Sequence, residues 1–188
     1  MTEAPRKPLS LEEARKASVR FRLVAFDKIT LATSPAYLVR GIIPREGLVV
    51  IWGPPKCGKS FWTFDLAMHI ALNWEYRGRK VKQGTVVYIA CEGERGIGAR
   101  AEAFRRKKLA EDGGAPGFHL LATRLDLAAD RQQLIDDIRA QLGPDRPVAV
   151  VIDTLKRSIA GSESSDEDMG AYVKAADAVR EAFSCAVL

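Results

Sequence analysis

The chain reads as an α/β fold, a mainly parallel sheet with helices on both faces, and three observations predict it. From Leu48 onward, short continuous apolar runs alternate with helix-length amphipathic stretches. Strands apolar along their whole length are those covered on both faces, and helices in between imply parallel crossovers. The first run leads directly into "GPPKCGKS" at Gly53–Ser60, with a helical pattern following at once. The fourth, "VAVVID" at Val148–Asp153, ends on a carboxylate.

The elements follow in order. Residues 1–36 read as an N-terminal extension and linker, and residues 37–188 as the main domain. Ser10 with Glu13 matches a capping box that opens a short basic helix reaching about Arg22. "FDKITLATSPAYLVRGIIPREG", Phe26–Gly47, reads as a connection. Strands are expected at "LVVIW" (48–52), "TVVYIA" (85–90), "FHLLA" (118–122), "VAVVID" (148–153) and "CAVL" (185–188). Helices are expected over about 59–73, 97–110, 130–142 and 166–183. Ser165 is placed to cap the last, with Asp166, Glu167 and Asp168 favourable in its first turn. "CAVL" is a strand pattern with nothing after it, whereas a parallel strand ordinarily runs on into a loop that carries function. The domain is therefore expected to be C-terminally incomplete.

Composition narrows the class. The 188 residues suit one domain, 47% hydrophobic and 28% charged, and a chain of this length can bury roughly 70% of its unfolded surface. No apolar stretch approaches the roughly 20 residues that cross a bilayer, and "MTEAPRKPLSLEEARKAS" lacks the apolar segment of a secretory signal. Cys57, Cys91 and Cys185 have no metal-binding spacing and cannot all pair. A reducing, cytoplasmic setting without membrane partners is expected. The net charge of +5 permits an anionic partner without establishing one. "RGRKVK" (77–82) and "FRRKK" (104–108) read either as solvated faces or as nucleic-acid contacts.

Gly53, Gly58, Lys59 and Ser60 satisfy G-x-x-x-x-G-K-S/T. Glycines let the backbone curl until successive N–H groups converge, and the following helix adds its positive end. Gly53, Lys56, Cys57, Gly58, Lys59, Ser60 and Phe61 are the candidate phosphate-binding positions. Pro54 and Pro55 have no N–H to give, but they occupy the early half of the loop and stiffen its approach. Lys59 is expected to reach the β- and γ-phosphates of ATP and to serve catalysis, and the Ser60 hydroxyl to ligate Mg²⁺. Asp153 is the second candidate magnesium residue, acting through a bound water. Glu92, just past the second main strand, is the candidate base that orients and polarises the attacking water, with Glu94 as its neighbouring alternative. Cys57 reads as a small filler rather than a redox switch, His69 and His119 are given no catalytic or metal role, and Trp52, Trp62 and Trp74 read as residues that pack or sit at a helix end rather than stack on adenine. No adenine pocket is assigned.

"GPPKCGKS", "VVYIACEGE" and "VVIDTLKRSIAGSESSDEDMGAYV" together resemble the RecA-like P-loop ATPases of the hexameric RepA and DnaB replicative-helicase type, found on plasmids and phages. The resemblance covers Tyr37 to Leu188. It implies a RecA-like core with ATP at the junction between subunits of a homo-oligomeric ring, Lys59 and Ser60 on phosphate and Mg²⁺, Glu92 as catalytic glutamate and Asp153 as second magnesium residue. It also implies that Thr154–Asp168 faces a central channel, where Lys156 and Arg157 meet single-stranded DNA. "AGSESSDED" reads equally as a solvated linker. In that family the last strand continues into a sensor loop and an arginine finger, a group that contributes about 10³–10⁵ in rate in other P-loop systems. Neither follows "CAVL", so slow or absent turnover stays open for this chain. Two other readings stand beside the motor, a small-molecule P-loop kinase and a nucleotide-dependent assembly module. Glu92 suits water activation better than transfer to an acceptor.

Overall fold

The computed structural model describes residues 23–30, 37–92, 94–109 and 113–188, without the side chains of Glu94 and Arg95. The expected capping box at Ser10 and Glu13 lies outside the described residues. The chain divides into two units, Met1–Ser34 and Pro35–Leu188. In the first, residues 23–30 hold one 3₁₀ turn, Phe26–Lys28.

The second unit opens with an antiparallel hairpin, β1 (Tyr37–Val39) and β2 (Ile43–Pro44). The expected connection thus contains strands. At three and two residues they are too short to leave a readable period in the sequence. Gly41 turns the hairpin at φ +71°, in the left-handed region that glycine enters without a Cβ penalty.

Five strands form the main sheet: β3 (Gly47–Leu48), β4 (Thr85–Ala90), β5 (Phe118–Leu121), β6 (Pro147–Asp153) and β7 (Ala186–Val187). Their order is β3-β7-β6-β4-β5, and every neighbouring pair is parallel. The helices are α1 (Lys59–Leu72), α2 (Glu94–Lys108), α3 (Leu127–Leu142), the single turn α4 (Leu155–Ser158) and α5 (Asp166–Phe183).

Strand parity sorts the side chains into two cores. Val86, Tyr88 and Ala90 of β4, with Ala149 and Val151 of β6, face α1, α2 and the hairpin, meeting Phe64, Leu66, Ile70, Ile97 and Phe104. Val87 and Ile89, with Val150 and Ile152, face α3 and α5. There Leu134, Ile135 and Ile138, and Tyr172, Ala176 and Val179, recur at helical spacing. The expected α/β class, with helices on both faces of a parallel sheet, is the observed one.

Boundaries moved where tertiary contacts decide them. The strand expected over 48–52 is in the ladder only at Gly47–Leu48, and its last bond runs from the Val49 N–H to the Val187 carbonyl at 2.8 Å. β3 is an edge strand, and β7 offers it only Ala186 and Val187 as partners. Beyond them Val50 and Trp52 turn to solvent, 78% and 90% exposed. α2 begins at Glu94, ahead of the expected Ile97. α3 begins at Leu127 rather than near Asp130, because the Asp126 carboxylate accepts from the N–H groups of Ala128 and Ala129 at 3.1 and 3.4 Å. α5 runs as expected, with the Ser165 hydroxyl accepting from the Asp168 N–H. Among the described residues no helix is long and apolar enough to cross a membrane.

Because Asp126 satisfies two first-turn donors, Asp126→Ala should lower the free energy of unfolding by about 1 kcal/mol in urea titration, with the slope unchanged.

Candidate functional site

Gly58 stands immediately before α1 at φ 92°, ψ 13°, a left-handed conformation. The loop folds tightly on itself: a Cβ on Gly53 would lie 3.0 Å from the Cys57 sulfur. The Lys59 ammonium donates to the carbonyls of Gly53 at 2.8 Å and Pro54 at 3.0 Å. The proline that has no N–H thus contributes through its carbonyl instead. The first backbone bond of α1 runs from the Trp62 N–H to the Gly58 carbonyl at 3.0 Å. Lys59, Ser60 and Phe61 precede it, so the helix itself supplies no acceptor for their N–H groups. A helix mouth of this kind attracts anions.

Asp153 closes the site from below. It ends β6 on the face that looks toward α1, and the Ser60 hydroxyl donates to its Oδ1 at 2.8 Å across 93 positions of sequence. The Tyr88 hydroxyl donates to Oδ2 at 2.7 Å, and an Arg100 guanidinium nitrogen lies 3.6 Å from the same oxygen. Among the described residues no three His, Cys, Asp or Glu side chains converge. A hydroxyl and one carboxylate are the hard oxygen donors that suit Mg²⁺, which ordinarily draws its other ligands from phosphate and water. These residues fit that ion.

Register explains where Glu92 stands. Ala90 of β4 pairs with Asp153 of β6, so the two acidic residues leave adjacent strand ends. Glu92, Arg100 and Asp153 line one cleft of about 100 Å³ together with Ala90, Gly96 and Ile97. A second cleft of about 190 Å³ is lined by Cys91, Glu92, Arg124 and Arg157. In it Arg157 Nε approaches Glu92 Oε1 to 3.9 Å. Lys156 shares α4 with Arg157 and is exposed, lining neither cleft. Glu94 falls in the first turn of α2, its side chain outside the described residues.

A family model for the AAA domain matches residues 13–188. The chain belongs to that family. It is an AAA/P-loop ATPase-superfamily domain on a RecA-like core. No curated protein matches it.

Three residues at the site of this AAA domain escaped sequence reading. Tyr88 left a signal, since a tyrosine inside an otherwise apolar buried strand needs a hydroxyl partner. Arg100 and Arg124 left none, because nothing in the spacing separates them from other surface arginines. Phe61 points outward, 68% exposed, with the Arg100 guanidinium 5.1 Å over its ring.

The remaining aromatic and basic residues of the domain mostly have structural partners. His69 Nδ1 lies 2.9 Å from the Glu75 carbonyl, and its ring sits edge-on to Trp74 and Tyr76. Trp62 packs edge-on to Tyr76, and Trp74 stacks on Phe104. Trp52 does not pack, contrary to expectation, because the chain leaves the sheet before it. In "FRRKK", Arg105 and Arg106 pair with Glu102, and Lys108 with Asp65. In "RGRKVK", Arg79 donates to the Arg40 carbonyl at 3.1 Å.

Burial, joined by the charge and hydrogen bond of Asp153, pushes the Tyr88 hydroxyl well above its usual range, so it stays a donor. Burial also pushes the Cys91 thiol up to about 11, with Asp153 adding to the rise, and the Cys185 thiol up to about 12, with Glu46 adding. Both are buried, whereas Cys57 in the loop is exposed. A thiol reagent near neutral pH should therefore label Cys57 quickly, and Cys91 and Cys185 only after unfolding. The unfolded chain loses these two thiol protons first as pH rises through about 8.5–9, while the folded chain keeps them. Stability should accordingly fall as pH climbs from about 9 toward 11. A series of urea melts across that interval checks the sign.

Proposed function

We propose that this AAA domain binds ATP with Mg²⁺ and hydrolyses it as the core of a nucleic-acid-acting motor, of the plasmid- or phage-type replicative-helicase kind, assembled as a homo-oligomeric ring. The observation that carries the reading is the Ser60–Asp153 hydrogen bond at 2.8 Å beside a cleft shared by Asp153 and Glu92. A phosphate loop, two oxygen donors and a carboxylate that opens onto the same space are the parts that Mg-dependent hydrolysis needs.

The roles follow from position. The first-turn amides through Phe61 receive the phosphate tail, and Lys59 exchanges its contacts with the Gly53 and Pro54 carbonyls for the β- and γ-phosphates. Ser60 and Asp153 hold Mg²⁺, which when bound neutralises charge developing on the phosphate oxygens. Glu92 orients the attacking water and accepts its proton. Exposed in this structure, it relies on bound nucleotide and neighbouring chains to exclude bulk water. Lys156 and Arg157 on α4 contact the backbone of single-stranded DNA. The approach of Arg157 to Glu92 at 3.9 Å supports an electrostatic link between the strand and the hydrolytic carboxylate: a DNA phosphate that takes up Arg157 alters the charge beside the base. Weak as an exposed pair, the contact is suited to being exchanged.

Calorimetry with Mg-ATP should show binding that Lys59→Ala abolishes. Glu92→Gln should leave binding intact and cut phosphate release by about 10²–10⁴-fold. Release by the wild-type protein should rise on adding single-stranded DNA. No stimulation by any single-stranded nucleic acid would remove the motor assignment while leaving nucleotide binding in place.

A further inference from the structure

We infer that Tyr88 is a positioning residue for magnesium binding, its hydroxyl fixing the Asp153 carboxylate so that Oδ1 stays aimed at Ser60. The inference rests on the Ser60–Asp153 magnesium reading proposed above.

The placement is dictated by register. Tyr88 of β4 pairs with Val151 of β6, and Asp153 lies two residues further along β6, on the same face. The tyrosine side chain leans along the sheet by that distance and delivers its hydroxyl to Oδ2 at 2.7 Å. Nothing about the ring is left to chance. Tyr88 is wholly buried, with Phe64 edge-on at 5.9 Å and Phe118 tilted against it at 5.8 Å. A wholly buried ring packed against two aromatic neighbours holds its oxygen where the strand sets it.

The division of labour on the carboxylate is clear. Ser60 comes from the mouth of α1 onto Oδ1, and Tyr88 from a neighbouring strand onto Oδ2. Two contacts on two oxygens, delivered by separate elements, leave the carboxylate one orientation. Arg100 is 3.6 Å from Oδ2, beyond hydrogen-bonding range, so the directional bond on that oxygen is the tyrosine's. A donor that orients a metal-binding carboxylate without touching the metal ordinarily contributes about 10–100-fold in metal affinity.

The test is the magnesium-dependent gain in nucleotide affinity, read by calorimetry with the non-hydrolysable triphosphate AMP-PNP, once with Mg²⁺ and once with EDTA. Tyr88→Phe keeps the ring and removes one oxygen. Its affinity in EDTA should match wild type, while its affinity in Mg²⁺ falls about tenfold and the Mg²⁺ titration midpoint rises correspondingly. Val87→Ala, on the same strand but facing the opposite core, should lower the melting temperature and leave the Mg²⁺ gain unchanged. A wild-type Mg²⁺ gain in Tyr88→Phe, or an equal loss with and without Mg²⁺, would overturn the assignment. A wild-type protein that binds AMP-PNP equally well in Mg²⁺ and EDTA would bring down the magnesium reading itself, and this assignment with it.

Discussion

The hydrogen bond from Ser60 to Asp153 joins the mouth of α1 to the end of β6 at 2.8 Å, and most of the domain can be understood as what holds those two oxygens together. Ser60 is placed by a loop that must turn through the left-handed conformation of Gly58 before the helix begins. Asp153 is placed by the parity of β6. Ala149 and Val151 face α1, and Asp153 continues their alternation. A slip of one residue would carry Asp153 to the opposite core, among the apolar residues of α3 and α5. There an unpaired carboxylate would be strongly unfavourable, so the buried pattern of the strand and the chemistry at its end enforce one register.

α1 is held to the sheet by aromatic contacts. Phe64 sits edge-on to Tyr88, Phe104 and Phe118, with ring centroids 5.9, 6.0 and 5.4 Å apart. These pairs come from β4, α2 and β5, so one side chain of the phosphate-loop helix locks it against three elements. Edge-to-face geometry adds roughly 0.5–1.5 kcal/mol per pair beyond buried area. The cluster that anchors the helix also clamps Tyr88, and through its hydroxyl the same packing reaches the carboxylate.

The site has two sides of different character. Asp153 is shielded, its side chain 13% exposed, whereas Glu92 is 62% exposed and lies between two shallow clefts. Ion pairs in such different surroundings carry different weight: screening leaves an exposed pair little net energy, while hydrogen bonds to a shielded carboxylate are stronger. One half of the site is thus a shielded carboxylate held by hydrogen bonds from two elements, and the other an exposed carboxylate beside Arg157.

By itself the sequence determined the layer class, the phosphate loop, the acidic end of β6 and the last helix with its Ser165 cap. Each is written locally, in continuous apolar runs, fixed glycine spacing or a side chain that satisfies backbone groups three residues away. It did not determine the length of β3, which depends on how many residues β7 offers beside it, nor the hairpin, whose strands are too short to show a period. Only the tertiary structure decided that Tyr88 and Arg100 meet Asp153 and that Arg157 turns toward Glu92. Those meetings are set by which strands lie side by side and in what register, and pairing partners dozens of residues apart leave no mark in the spacing of either segment alone.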